Sequence, residues 1–288
     1  MCDSDNNQGY VVDTSFTRRS VVLTLSSSAA IAGLPTAAFA ATVAEKNVTV
    51  PTPDGSADAA LFHPAGKGSW PAVLMWPDIL GLRPVFREMG RRLAGAGYTV
   101  LVPNPFYRTR RAPIVTGPFD FNDPKQLQPL MALKATLTDA AVDRDAGAFI
   151  TFLDKQKEVN NRKAAGVQGY CFSGPFAFRT AAVRPERVRA VATFHGGGLV
   201  TKDANSPHLL IPKTKASFLV AIARNDDQKQ PEAKDVLKAT FAAAKRPAKV
   251  EVYPADHGWC MAGSAVYDQV SAERAWAELL RLYRADLV

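Results

Sequence analysis

The segment Gly166-Val167-Gln168-Gly169-Tyr170-Cys171-Phe172-Ser173-Gly174 decides the fold. Its first part closes a short apolar run, residues 164–170, and an apolar helical pattern, residues 176–183, follows almost at once. A strand, a G-x-C-x-S-G turn and a helix in that order have the form of a nucleophile elbow. The turn is tight, so bulky side chains two positions before or two to three after the nucleophile would collide across it. Gly169, Ser173 and Gly174 are small at those positions. Pro175 falls in the first helical turn, where a missing N–H does no harm. Sulfur at a helix N-terminus is drawn toward thiolate by the local dipole. The plainer alternative is a buried structural cysteine, the common fate of a free thiol.

Outward from this turn, the chain alternates strand and helix. Residues 46–64 read as two short strands around the turn Pro53-Asp54-Gly55-Ser56. Residues 71–76 (PAVLMW) and 99–102 (TVLV) are continuous apolar runs, as strands buried on both faces require. Helical spacing covers residues 85–96, ended by Gly97, and residues 139–153, with Val142, Ala146, Phe149, Ile150 and Leu153 on one side. Further strands are expected at 188–194, 216–223 and 250–253, and further helices at 231–244 and 265–283. Residues 103–129 are Pro-rich and read as irregular. Such alternation calls for one α/β domain, a mostly parallel central sheet with helices on both faces. No internal repeat or interior linker divides it.

In a sheet of this kind, functional residues gather at the carboxyl ends of the strands. Cys171 ends one strand. Asp226 follows another, in Ala223-Arg224-Asn225-Asp226-Asp227, where Asp227 is an equally acidic neighbour. His257 follows a third, in Tyr253-Pro254-Ala255-Asp256-His257-Gly258-Trp259. Either Asp could be a solvated loop charge, and His257 alone could be a surface histidine. Taken together, the order nucleophile, acid, histidine is that of the α/β-hydrolases.

On GYCFSG, ARNDD, YPADHGW and PDILGL, the chain resembles the dienelactone hydrolase family of α/β-hydrolases across residues 46–285. The resemblance implies a Cys171, Asp226 and His257 triad that cleaves a small ester or lactone. It implies an oxyanion hole formed by the backbone amides of Ile79 and Phe172. Asp78 stands where the family has a glutamate that helps form the thiolate. Arg108 matches an arginine that binds a substrate carboxylate, whereas a second such arginine is here Met261. His195 occupies the place of a pocket tyrosine. The implied partner is a small ester or lactone, anionic if Arg108 serves. A non-catalytic or thiol-redox protein on a hydrolase scaffold is the alternative, with a Cys171–Cys260 disulfide as its signature.

The first forty residues read as an address. Arg18-Arg19 precede a stretch with no charged residue, residues 20–44, and Ala38-Phe39-Ala40 ends as small-x-small. That is a tripartite export signal of twin-arginine type, expected to be cleaved after Ala40 and to direct the protein to the periplasm or beyond. Three serines at 26–28 and Pro35 make the run weak as a membrane span, with a retained anchor the alternative. Two domains of organisation follow: residues 1–40 as signal and 41–288 as hydrolase, with no stable membrane insertion once the signal is gone.

Composition narrows the field. Of 288 residues, 47% are hydrophobic and 22% charged, which excludes a disordered or collagen-like chain. Three cysteines are too few for a disulfide framework. The net charge is +8, and because residues 1–40 hold two basic and three acidic residues, residues 41–288 carry +9. The densest basic cluster, Arg108-Thr109-Arg110-Arg111, lacks the interleaved aromatics of single-strand nucleic-acid binders, so no nucleic-acid partner is expected. The four histidines form no metal-binding pair and no phosphate-binding glycine loop is present, so no metal and no cofactor are expected.

Overall fold

A computed structural model of the chain describes residues 11–14 and 42–288. Arg18, Arg19, Cys2 and the Ala38-Phe39-Ala40 end of the expected export signal lie outside the described residues.

The elements run β1 (Val11–Asp13), β2 (Val43–Thr52), β3 (Gly55–Pro64), β4 (Ala72–Trp76), α1 (Pro84–Gly95), β5 (Thr99–Pro103), β6 (Pro118–Asp120), α2 (Pro124–Ala135) and α3 (Asp139–Asp154). They continue with β7 (Ala165–Tyr170), α4 (Gly174–Val183), β8 (Val188–Phe194), β9 (Ser217–Ala223), α5 (Arg224–Lys229), α6 (Ala233–Ala243), β10 (Ala248–Tyr253) and α7 (Gln269–Leu287). Eight strands make the central sheet in the order β2-β3-β5-β4-β7-β8-β9-β10. The β2–β3 hairpin and the β3–β5 pair are antiparallel, and every pair from β5 to β10 is parallel. This is the mostly parallel α/β sheet that the alternation calls for, in the α/β-hydrolase form that the residue order and the family resemblance imply.

Two-residue periodicity divides the side chains of each strand between two cores. Leu74 and Trp76 of β4 point to one, with Phe149 of α3, Phe178 of α4 and Phe241 of α6. Val73 and Met75 point to the other, with Phe86 and Leu93 of α1 and Leu279 and Tyr283 of α7. Helices on both faces explain why β4 and β5 are buried throughout. Among the described residues, the buried apolar ones apart from Val12 lie between Val50 and Leu287.

Local departures from the sequence expectations have physical reasons. The Pro-rich stretch is not irregular to residue 129, because Asp123 accepts a hydrogen bond from the Lys125 amide at 2.9 Å and caps α2. Pro124 sits in the first turn of that helix, where proline fits. Helix α7 begins four residues later than expected, where the Asp268 carboxylate accepts from the Ser271 amide at 2.7 Å. The preceding residues form turns beside His257 instead. The segment carrying Asp226 and Asp227 is the short helix α5 rather than an open loop.

Candidate active site

Cys171 has φ +57°, the left-handed conformation that non-glycine residues seldom adopt. Strain of this kind persists only where its surroundings over-determine it. Here the elbow supplies them. A Cβ on Gly169 would stand 2.2 Å from the Ser173 carbonyl oxygen, and one on Gly174 would stand 2.6 Å from Thr193 Oγ1 and 2.8 Å from Gly196 Cα. Only glycine lets β7 turn back so closely into α4. Ser173 is more than small. Its hydroxyl accepts from the Tyr170 amide at 2.9 Å and lies 3.0 Å from the Trp76 carbonyl, tying the elbow to the end of β4.

His257 is 1% exposed and faces Cys171, with which it shares a hydrogen bond. Its Nδ1 lies 2.7 Å from Asp226 Oδ2, and its amide donates to Asn225 Oδ1 at 2.8 Å. Asp227 turns away and takes the Lys234 ammonium at 2.7 Å. The acid paired with His257 is therefore Asp226. Burial alone would depress the imidazole, but the facing Cys171 and Asp226 outweigh it and raise the ring to about 10. At neutral pH such a ring is a cation beside a sulfur.

The same cavity is walled by Asp78, Ile79, Leu80, Arg83 and His195. Among the described residues the Ile79 amide donates to nothing, so it is available to an oxyanion, and Phe172 directly follows the sulfur. Asp78 is committed. Arg83 grips it with both guanidinium nitrogens, at 2.5 and 2.8 Å, and its Oδ1 also accepts from the Leu80 amide at 3.0 Å. His195 is 1% exposed with φ +42°, and its ring stands 4.7 Å from that of His257 and 5.2 Å from Trp259. Burial and the neighbouring His257 charge push His195 well below its ordinary value, so it stays neutral.

Two expectations are corrected by geometry. Arg108 does not reach this cavity. Asp145 is fully buried in α3 and needs a cation, and Arg108 supplies it with two bonds of 2.8 and 2.7 Å. Asp54 takes its remaining side, at 2.5 Å, and the guanidinium rests over the Tyr107 ring. Cys260 is also apart. It forms no disulfide with Cys171, and it lines a separate apolar pocket between α1 and α7 with Met89, Tyr170, Phe194 and Trp276. No sequence motif flagged Arg83 or Ser264 as cavity residues, although both lie within a few residues of stretches that were singled out.

The sequence profile described as "Dienelactone hydrolase family" matches residues 57–287. Carboxymethylenebutenolidase 1 of Cupriavidus pinatubonensis is 28% identical over 218 residues, covering 74% of this chain and 86% of the relative. A carboxymethylenebutenolidase of Rhodococcus opacus is 26% identical over 194 residues, covering 67% and 71%. Among solved structures, a dienelactone hydrolase-like promiscuous phosphotriesterase from metagenomic libraries superposes with TM-score 0.69 at 23% identity, over 85% of this chain and 99% of that one.

Proposed function

The chain belongs to the dienelactone hydrolase family and is a hydrolase of the ester or lactone class, and from this we propose that Cys171 is its nucleophile in a two-step acyl transfer. The sulfur attacks the substrate carbonyl carbon, and the oxyanion rests on the Ile79 and Phe172 amides, an arrangement that typically lowers the barrier by about 3–4 kcal/mol per donor. His257, oriented by Asp226, protonates the leaving alcohol oxygen. It then takes a proton from water, which attacks the thioester and releases the acid and the thiolate. The observation that carries this reading is the unbroken contact from a strained Cys171 through His257 to Asp226.

The substrate is proposed to be small and uncharged. Arg108 is held by Asp145 and Asp54, and Arg83 by Asp78, so no uncommitted arginine or lysine lines the cavity among the described residues. Residues 1–40 are proposed to be a twin-arginine export signal removed after Ala40, which puts the enzyme in the periplasm or outside the cell.

The test is an ester and lactone panel on residues 41–288, with Cys171→Ala as control. Turnover of p-nitrophenyl acetate is expected to fall at least ~10⁴-fold in that variant. Rates near wild type would sink the assignment of the nucleophile.

A further inference from the structure

The ceiling of the Cys171 cavity comes from a distant part of the chain. Strand β1 pairs antiparallel with β6, in the register Val11↔Asp120, Val12↔Phe119 and Asp13↔Pro118. On its other side Val12 makes an antiparallel bridge to Ser264, in the turns that follow His257. Three residues thus join the two rims of the cleft. Val12 is 4% exposed and lines the cavity with Cys171, Ile79, Phe121 and Met261. Thr14 fastens the end, its hydroxyl donating to the Gly117 carbonyl at 2.6 Å.

This arrangement leaves little space for a substrate. Cys171 is 3% exposed, and the space beside it holds only about one or two water molecules. An ester has to bring its carbonyl to roughly 3–3.5 Å from the attacking atom. The space left beside Cys171 while Val12 is seated is too small to hold one. Val12 takes its place with Ile79, Leu80, Phe121 and Met261 on the apolar part of a cavity whose remaining lining includes Asp78, Arg83, His195 and His257. Among the described residues the attachment is a three-residue ladder, one bridge and two hydrogen bonds from Thr14, through its hydroxyl and its amide, to the Gly117 carbonyl, and so short a pairing is of the kind that opens before a core strand does.

We propose that residues 11–14 are a built-in occupant of the substrate cleft, with Val12 in the seat of the substrate's apolar group, and that they hold the site shut while attached. The proposal rests on the reading of Cys171 as nucleophile only for its catalytic consequence. Residues 11–14 lie upstream of Arg18-Arg19, within the segment proposed to leave as an export signal. Loss of residues 1–40 therefore opens the cleft, and a chain that folds before export stays inactive until then.

The experiment compares the full chain with its Val12→Asp and Thr14→Val variants. A carboxylate in place of the buried Val12 side chain loses its packing against Ile79, Phe121 and Met261 and must be desolvated, which drives the strand out, and the second change removes the hydroxyl bond to Gly117. Two quantities are read: the rate at which iodoacetamide alkylates Cys171, assigned by peptide mass mapping, and kcat/KM for p-nitrophenyl isobutyrate. Alkylation of Cys171 is expected to rise about tenfold or more in Val12→Asp, and less in Thr14→Val, as the closed population is depleted. Alkylation within about twofold of wild type, or slower, in both variants overturns the closure. Faster alkylation without ester turnover in any form sustains the closure and removes the hydrolytic role of Cys171. Equal turnover in all forms with unchanged alkylation does the reverse.

Discussion

Cys171 and Cys260 are both shielded thiols, and Cys260 lies only three positions after His257, yet their surroundings are opposite. Cys171 stands on a strained turn with an imidazole facing its sulfur and a carboxylate behind the imidazole. Cys260 faces an apolar pocket, where burial pushes its thiol well above 9.0. Burial alone favours the neutral thiol and makes it inert. On the proposal that Cys171 is the nucleophile, the difference is a cation held against its sulfur, and the elbow and the segments after β9 and β10 each deliver one member of that group.

The largest effect should come from breaking the charge behind the imidazole. In Asp226→Asn the shape is kept, but the amide cannot hold the ring in the needed tautomer and charge state, and kcat is expected to fall about 10³–10⁴-fold. Asp227→Asn breaks only the ion pair to Lys234, and the activity should stay within about threefold, as surface ion pairs contribute little. Parallel kinetics of the two variants check this. Equal losses would mean that the acid had been assigned wrongly.

Next is the elbow. Gly169→Ala places a methyl group 2.2 Å from the Ser173 carbonyl oxygen, where main chain and not a flexible side chain must move. A displacement near 1 Å at a reacting group costs about 10²-fold. Activity should fall by that order, with a stability loss of about 2–4 kcal/mol by thermal melting. An equivalent change far from the elbow, at Gly97 for example, has open space around it but a positive φ of +99°, so it should destabilise without touching kcat.

The pH dependence is the third handle. His257, ordinarily near 6.5, is raised to about 10 against its own burial by Cys171 and Asp226. The sign follows from linkage: a group raised in the folded state lends stability fully present below pH 6.5 and lost as pH rises through about 10. Melting temperature should therefore decline across that window, and less steeply in Asp226→Asn. The ultraviolet absorbance of the thiolate should be present at neutral pH in the wild type and vanish in Cys171→Ala, while Cys260→Ala leaves it unchanged.

The parts of this site legible in sequence are those made by short-range constraint. GYCFSG announces the elbow because a tight turn admits few side chains, and the strand-end positions of Asp226 and His257 follow from apolar runs just before them. What escaped is set by pairings between distant residues. Arg108 sits after a strand end as a substrate arginine should, but the buried Asp145, on a helix 37 positions away, claims it. Asp78 occupies the place of an activating carboxylate, but Arg83, five residues on, neutralises it. Neither commitment leaves a periodicity or motif. The fold was more legible than the site for the same reason: burial patterns repeat along each strand, whereas the partner of one buried charge is a single event.

The smallest effect is expected at Cys260, and it completes the contrast. Its thiol fills apolar space against Met89, Tyr170 and Trp276 and stays neutral. Cys260→Ala removes one sulfur from partly buried surroundings, a loss of about 1 kcal/mol in stability. Because the pocket lies on the α1–α7 face while Cys171 faces the other side of Tyr170, kcat/KM should remain within about twofold of wild type. A thiol titration checks the chemistry directly: in residues 41–288 both sulfurs should count as free without reductant. A larger loss of activity in Cys260→Ala would mean that the two pockets are coupled through Tyr170 and Phe194, which line the first pocket and immediately precede Cys171 and His195 in the second.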